Sequence, residues 1–308
     1  MSHPFSHFIR ELGRGKKGSR SLTQAEAYEA MTMILNQQVE DIQLGAFLML
    51  LRVKEETPEE LAGFVQAVRD YIQAQYDVLP QAVDIDWANY AGKRKQLPWN
   101  LLTAKQLRDE GKTVLIHGCG EHTPERLYTE KVFKEMNWPI AQNPSHAAKL
   151  CASEGWCYLP LAAIHPHLET LINLKPLLGL RSPINTICRL LNPLQAKHGL
   201  HGIFHPNYLP AHQQTAELLG DQSMLAFKGE GGDTEIRPEA KTKLIGVKSG
   251  QPFVTVLPSA LSERPEAEPV VDVPAFRQMV EAPELISDYG KAAMAQTYQA
   301  VQLLMAQS

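Results

Sequence analysis

The sequence has no long apolar run. Its longest purely apolar stretch is the short segment "GAFLMLL" at 45–51. A membrane-spanning helix needs roughly 20 consecutive apolar residues, so we expect no membrane span. The N-terminal "MSHPFSHFIREL" has neither an apolar core nor a small-residue cleavage motif, so we also expect no signal peptide.

Cysteine is scarce, and no pair of cysteines has the CxxC spacing. The chain contains four: Cys119, Cys151, Cys157 and Cys188. Wide spacing of so few thiols is typical of reduced cysteines in a cytoplasmic protein rather than of a disulfide framework. We therefore expect a cytoplasmic location.

The histidines also lack a metal-binding spacing. Five are close together in the sequence: His165, His167, His198, His201 and His205. No HExxH motif accompanies them, and alternate histidines of a strand point in different directions. The pattern does not predict a histidine metal site.

A basic segment stands out against an acidic chain. The stretch "GRGKKGSR" at 13–20 belongs to a chain whose net charge is −4. From 10 to 20 the local charge is +4, because Glu11 is the only anion beside five cations. Those cations are Arg10, Arg14, Lys16, Lys17 and Arg20. Such a segment is typical of contact with an anion, and "GKRK" at 92–95 would extend the basic surface.

Aromatic residues near these basic stretches are few. Tyr90 and Trp99 are the two that accompany "GKRK". Modules that read single-stranded RNA stack bases on several aromatic side chains, so this scarcity argues against such a module. It favours binding directed at the phosphate backbone, with little sequence preference.

The pattern of the sequence changes from helical to alternating strand and helix near residue 80. Before it, helix-start patterns with capping boxes occur at Thr23–Glu26 and Thr57–Glu60. After it, short β-type runs alternate with helical stretches, which predicts a mainly parallel α/β sheet. The runs are 83–87, 113–118, 157–162, 201–206, 223–229, 243–248 and 252–258. We predict a small helical domain at 1–79, joined by helices from about 168–192, and a large α/β domain at 80–308. A single long helix is expected at the C-terminus.

Three segments in order resemble the anthranilate phosphoribosyltransferase family. They are "QLGAFLMLLRVKEETPEELAGF" (43–64), "LLGLRSPINTICRLLNPL" (177–194) and "FKGEGGDTEI" (227–236). The resemblance implies the anthranilate and nucleoside phosphoribosyltransferase-like fold, a small helical domain followed by an α/β domain. It also implies a phosphoribosyl pyrophosphate site between the two domains and a homodimer formed through the helical domain.

The family's phosphate-binding motifs are largely replaced. Its glycine-rich loop corresponds to "NYAGKRKQLPWN" (89–100), where only Gly92 is kept. Its KHGNR segment corresponds to "IHGCGEHTPER" (116–126), which keeps His117 and Gly118. Arg181 matches the arginine that contacts anthranilate. The resemblance therefore implies a residual substrate and phosphate site at Gly92, His117, Gly118 and Arg181.

The family's magnesium-binding acidic pair is also altered. It aligns with Thr234 and Glu235, so one carboxylate is lost, although Asp233 is adjacent. Asp233 and Glu235 are the candidate metal ligands, and Mg²⁺ demands near-ideal geometry. We expect no cofactor, and Mg²⁺ only if the chain is an active transferase.

The start "FIRELGRGKKGSR" (8–20) resembles a DNA-binding branch of this family. Our main interpretation is a homodimer that binds DNA or RNA with little sequence preference, with no catalytic residue assigned. The predicted contacts are Arg14, Lys16, Lys17, Arg20, Lys93, Arg94, Lys95, Arg181 and Arg189. Arg52 is either a further contact or a helix cap, and Arg181 is either a contact or part of a structural ion pair.

Two alternatives stay open. The first is an active phosphoribosyltransferase with altered phosphate loops, using phosphoribosyl pyrophosphate and Mg²⁺; the matches at Arg181 and Glu235 favour it. The second is a dimeric scaffold whose partner is a protein.

Overall fold

The N-terminal part of the chain is helical. The computed structural model describes residues 3–15, 17–80, 82–263 and 266–306. Its first helices are α1 (Ser6–Gly13), α2 (Gln24–Leu35), α3 (Asp41–Lys54) and α4 (Pro58–Gln75). Helices α2 and α4 begin at the predicted capping boxes, where the Thr23 and Thr57 hydroxyls accept from the amides of Glu26 and Glu60. Both boxes are confirmed.

Ten further helices follow in the rest of the described residues. They are α5 (Trp99–Asp109), α6 (Thr129–Glu135), α7 (Pro144–Glu154), α8 (Leu161–Ile164), α9 (Pro166–Ile172), α10 (Lys175–Leu178), α11 (Ile184–Ile187), α12 (Leu209–Leu219), α13 (Val273–Glu281) and α14 (Asp288–Met305). Short 3₁₀ turns lie at Cys188–Leu190, Pro206–Tyr208, Glu230–Gly232 and Pro283–Leu285. In the described ranges, no helix is long and apolar enough to cross a membrane.

All seven predicted β-type runs form strands of one sheet. The strands are β1 (Ile85–Ala88), β2 (Val114–Gly118), β3 (Trp156–Pro160), β4 (His198–Ile203), β5 (Ser223–Lys228), β6 (Thr242–Lys248) and β7 (Gln251–Leu257). Their order is β3-β2-β1-β4-β5-β6-β7. The first five pair in parallel, and β6 and β7 are antiparallel. The predicted helical-plus-α/β fold class is thereby confirmed.

The helices predicted at about 168–192 are short in the structure, and the predicted C-terminal helix starts later than expected. The region 168–192 holds only α9, α10, α11 and a 3₁₀ turn, because prolines open α10 and α11 and Gly179 ends α10 with a φ of 74°. At the C-terminus, α14 starts only at Asp288, after the 3₁₀ turn. Ser287 caps it by accepting a hydrogen bond from the Gly290 amide.

Successive side chains of each strand point to opposite faces of the sheet, and each face has its own hydrophobic core. One face buries Leu115 and Cys157 with the hydrophobic residues of α1–α4. The other buries Val114 and Ile116 with residues of α5, α13 and α14. Odd and even positions of a strand face opposite sides, so strands covered on both faces are mostly apolar, with Asp86, His117 and His201 as buried polar exceptions.

The sheet has a topological switch point at β1. This strand pairs with β2 on one side and with β4 on the other, so successive crossovers leave it in opposite directions. In open α/β sheets, ligands bind in the crevice beyond the carboxyl ends of the strands at such a point. A ligand-binding site is therefore expected at the segments that follow β1, β2, β4 and β5.

Candidate functional site

A cleft of about 370 Å³ opens beyond the carboxyl ends of β2, β4 and β5. The sheet side is formed by residues that follow these strands, among them Arg126, Phe204 and Gly231. The opposite side is formed by α3 and by the segment 175–189. The cleft therefore lies at the switch point, between the sheet and the helices that pack on it.

The lining of this cleft is strongly basic. Five cations line it: Arg52, Arg126, Lys175, Arg181 and Arg189. Of the described residues that line it, Glu56 is the single acidic one, and burial raises its pKa. Among the residues that the structure describes, no carboxylate forms an ion pair with any of these five cations. We refer to this site as the basic cleft.

Neighbouring groups fix the arginines of the basic cleft. Arg189 is buried and donates from Nε to the Gly202 carbonyl at 3.1 Å and from Nη1 to the Asn185 carbonyl. Burial, then repulsion by a nearby arginine, lowers the pKa of both Arg181 and Arg189. Such crowding of buried positive charge favours a bound anion, because an anion would offset both the cost of burying the guanidinium charges and their mutual repulsion.

Two more arginines are oriented by single hydrogen bonds. Arg52 donates to the Tyr208 hydroxyl at 3.0 Å, and Arg126 donates to the Gly92 carbonyl at 3.2 Å. Arg52 is therefore held towards the cleft, on α3, where the sequence left open a cap or a contact. A guanidinium held by one bond keeps other donors for a phosphate.

The candidate metal ligands surround a lysine instead. Lys93 Nζ lies 2.6 Å from Glu235 Oε1 and 3.2 Å from Asp233 Oδ2, and all three residues are buried. The Thr234 hydroxyl, between them in sequence, donates to the Ala88 carbonyl and accepts from the Gly202 amide. Burial raises the pKa of Glu235 to about 7, which the Lys93 charge opposes. These residues do not fit Mg²⁺, since an ammonium group fills the place between the carboxylates.

This arrangement corrects one predicted contact. Lys93 was expected to reach nucleic-acid phosphates from the "GKRK" segment, but it is 6% exposed and already neutralised by two carboxylates. Its neighbours Arg94 and Lys95 are exposed, and Arg94 forms a surface ion pair with Glu125 at 3.3 Å. Only these two residues of the segment are available to a ligand.

The residual phosphate site predicted at Gly92, His117 and Gly118 is filled by protein. The His117 ring is fully buried between the Tyr90 hydroxyl at 2.8 Å and Asp86 at 3.2 Å. A Cβ on Gly118 would lie 2.3 Å from the Asn89 carbonyl oxygen, so the chain packs there without room for a phosphate.

Gly92 is closed in the same way. A Cβ at this position would lie 2.7 Å from side-chain atoms of Arg126 and Tyr128. The glycine therefore admits neighbouring side chains rather than a pyrophosphate. Of the four residues in the predicted phosphate site, only Arg181 lines the cleft.

The N-terminal basic segment is partly neutralised. Arg14 pairs with Glu11 at 3.1 Å, and Arg20 pairs with Glu11 at 3.3 Å and with Glu26 at 2.6 Å. Lys17 is exposed, and Lys16 lies outside the described residues. The local charge of +4 that residues 10–20 carry is therefore reduced by Glu26, a carboxylate six positions beyond Arg20.

Each basic segment is followed by, or contains, a residue that is hydrogen-bonded to an element of the basic cleft. Ser21, which follows the N-terminal segment, accepts a hydrogen bond at 3.0 Å from Lys54 of α3, the helix that also carries Arg52. The 92–95 segment contacts Arg126 through the Gly92 carbonyl.

The sequence interpretation missed Arg126 and Lys175. Each is an isolated cation, in "HTPER" and "NLKPLL", without a charge run around it. Nothing local distinguishes them from ordinary surface charges, and only the fold brings them to one cleft. The candidate histidines were not brought together: among the described residues, no three His, Cys, Asp or Glu side chains form a group that could hold a metal.

Two family models match the chain. They describe the helical bundle domain (residues 6–72) and the α/β domain (residues 129–260) of a glycosyl transferase family. The chain belongs to this family. The resemblance found in the sequence is confirmed at this level.

Its relatives include proteins with and without an assigned activity. It is 31% identical to an uncharacterised protein of Aquifex aeolicus, over 82% of this chain and 76% of that protein. It is 29% identical to the uncharacterised protein YbiB of Escherichia coli, over 74% of this chain and 71% of that protein. It is 28% identical to the anthranilate phosphoribosyltransferase of Ignicoccus hospitalis, over 77% of this chain and 68% of that enzyme.

Solved structures share the fold. Anthranilate phosphoribosyltransferase from Thermus thermophilus aligns with a TM-score of 0.76 at 19% identity, covering 98% of this chain and 89% of the enzyme. The Saccharomyces cerevisiae enzyme in complex with PRPP and Mg aligns with a TM-score of 0.75 at 15% identity, covering 99% of this chain and 89% of that enzyme.

Proposed function

We propose that this member of the glycosyl transferase family binds nucleic acid through its phosphates, with little sequence preference, in and around the basic cleft. The observation that carries the proposal is the set of five cations that line the cleft without an ion-paired carboxylate among the described residues. Clustered arginines and lysines attract phosphates electrostatically and release condensed counterions, which supplies affinity for any sequence.

The surroundings of the cleft support a polyanion rather than a single phosphate. Lys17, Arg94 and Lys95 are exposed, and they belong to the two basic segments whose neighbouring residues are hydrogen-bonded to α3 and to Arg126. A chain of phosphates that enters the cleft would meet these charges as it leaves. Linked contacts of this kind raise affinity beyond that of one cluster.

We further propose that two copies associate through the helical segment. On α3, apolar residues at i, i+4, i+7 and i+11 form one stripe: Ile42, Ala46, Met49 and Val53. Ile42 and Val53 are each 82% exposed, which is unusual for large apolar side chains. Sedimentation of the wild-type chain should show a dimer, and Ala46→Arg should give monomers; a monomeric wild type would contradict the proposal.

A salt titration tests nucleic-acid binding. Neutralising about six phosphates should give a log–log salt slope near −5 on duplex DNA. The variants Lys175→Ala and Arg181→Ala should each weaken binding equally on unrelated sequences and make the slope shallower by about one unit. Fluorescence anisotropy with duplex and single-stranded oligonucleotides measures both quantities.

The matched control is Lys105→Ala, which removes a cation from α5, outside the lining of the cleft. Its salt slope should equal that of the wild type. A slope near zero for the wild-type chain, or an equal effect of all three variants, would contradict binding in the cleft.

A second candidate is phosphoribosyl transfer, and the comparisons support it more directly than they support nucleic-acid binding. Relatives with an assigned activity include anthranilate phosphoribosyltransferases. In this chain, Arg181 lines the cleft and Glu235 is present, while Lys93 fills the place between the acidic residues. Calorimetric titration with phosphoribosyl pyrophosphate, followed by a turnover assay with anthranilate, distinguishes the candidates. Product formation would favour the transferase.

A further inference from the structure

Lys93 reaches its carboxylate partners across the fold. The lysine follows β1, whereas Asp233 and Glu235 follow β5, about 140 positions later. Its backbone is fixed by a two-way bridge with Leu127, with N–O distances of 2.9 and 2.7 Å. Anchored in this way, the side chain delivers its ammonium group directly between the two acids.

Both carboxylates are buried, and two buried carboxylates repel each other strongly unless a cation lies between them. The Glu235 carboxylate uses its second oxygen, Oε2, to accept from the Asn100 amide at 2.8 Å. Its first oxygen, Oε1, is the one that meets Lys93 Nζ at 2.6 Å. The Lys93 ammonium therefore lies within 3.2 Å of an oxygen of each acid, where a positive charge offsets both carboxylates.

We infer that the Lys93 ammonium is a permanent substitute for a divalent cation at Asp233 and Glu235, and that removal of this side chain opens a site for Mg²⁺ or Mn²⁺. Divalent ions of this type are bound by carboxylate oxygens at 2.0–2.1 Å in octahedral geometry, completed by waters. An ammonium group at hydrogen-bond distance from both acids excludes such an ion. The inference holds whichever anion enters the basic cleft, so it does not depend on the proposed function.

An ordinary structural ion pair would behave differently. Its loss would only destabilise the protein, and no cation added to the solution would restore stability specifically. If Lys93 stands in for a metal, the variant without it should gain a saturable divalent site. Binding to the folded state alone then raises the melting temperature as the metal concentration rises.

The test uses the full chain and Mn²⁺ as the probe, followed by electron paramagnetic resonance and by thermal unfolding. The wild type should show no saturable Mn²⁺ site at this pair. Lys93→Ala should gain one site per chain, and its melting temperature should rise with Mn²⁺ compared with EDTA. The double variant Lys93→Ala/Glu235→Gln should lose that site, because one ligand is neutralised.

Lys95→Ala is the matched control, since it removes an exposed lysine two positions away and should gain no site. If Lys93→Ala does not fold in EDTA, refolding with Mn²⁺ replaces the titration: recovery in Mn²⁺ alone supports the inference. Failure in both conditions counts against it. A wild-type Mn²⁺ site that Glu235→Gln abolishes, or a folded Lys93→Ala variant without a Mn²⁺ site, overturns it.

Discussion

Arg69→Ala is expected to lower the free energy of unfolding by about 3 kcal/mol, the range for breaking a buried ion pair from one side. Arg69 lies on α4 and is 7% exposed. Its guanidinium donates to Asp221 at 2.7 and 2.9 Å, and to the carbonyls of Leu190 and Leu191 at 3.0 and 2.9 Å. Alanine would leave a carboxylate and two carbonyls without these donors.

The geometry of this group explains why the effect should be large. One planar guanidinium joins the N-terminal helices to the 3₁₀ turn at Cys188–Leu190 and to the end of α12. Arg69→Lys keeps the charge but not the fork of donors, so we expect an intermediate loss. Urea unfolding followed by circular dichroism measures both variants.

Lys105→Ala serves as the control, because its pair with Asp109 on α5 is exposed and such pairs contribute only about 0–0.5 kcal/mol. The double variant Arg69→Ala/Asp221→Ala should recover part of the loss, since the unpaired carboxylate is removed with its partner. An Arg69→Ala effect no larger than that of Lys105→Ala would show that α4 is held by its apolar contacts alone.

Stability should also fall as the pH drops from about 6.5 to about 4. His201 on β4 is 2% exposed, and its Nδ1 lies 3.2 Å from Nδ1 of His212. Burial, only partly opposed by the charge of Asp86, lowers the pKa of His201 to about 4. Burial also lowers the pKa of His212 well below its usual value.

The direction of this pH dependence follows from the pH at which the folded and the unfolded state each take up a proton. An unfolded histidine binds a proton near pH 6.5, whereas folded His201 does so only near pH 4. Between these values the unfolded state holds more protons, so folding becomes less favourable as the pH decreases. The depressed pKa corresponds to about 3 kcal/mol lost across this window.

His201→Gln tests this effect. The substitution also changes the surroundings of His212, whose pKa is lowered by burial and then by His201, whereas the titrating groups that do not contact His201 are common to both proteins. Glu235, whose pKa burial raises to about 7, acts in the opposite direction but is unchanged in the comparison. The variant should show a shallower dependence of unfolding free energy on pH between 6.5 and 4. His146→Gln, at a half-exposed position of α7, is the matched control. Equal slopes for the wild type and His201→Gln would contradict the prediction.

Elements with local signals were predictable from the sequence. The capping boxes at Thr23 and Thr57 need only residues three positions apart, and both form as predicted. The seven β-type runs all became strands, because apolar, β-branched runs between helices have few other ways to be buried. The C-terminal helix was predicted too long, since the 3₁₀ turn and the cap at Ser287 delay its start.

Site residues were predicted less well, and the reasons differ. "GKRK" has the pattern of surface charge, yet Lys93 is buried by partners about 140 positions away. Arg14 and Arg20 were expected to contact phosphates, yet Arg14 pairs with Glu11 three positions before it, and Arg20 pairs with Glu11 and Glu26. Arg126 and Lys175 carried no signal at all, because isolated cations look alike until a fold places them.

Local chemistry, read from the order of residues, was enough for the helix starts, the strands and the division into a helical and an α/β part. These properties arise from neighbours along the chain or from the period of apolar positions, which the sequence displays directly. The family was implied by the resemblance of three segments, 43–64, 177–194 and 227–236. Which cations face a ligand and which are neutralised depended on the tertiary structure alone. Charges act through space, so the role of Lys93 was decided by the two carboxylates beside it. The role of Arg181 was decided by its place in the cleft, where no carboxylate among the described residues forms an ion pair with it.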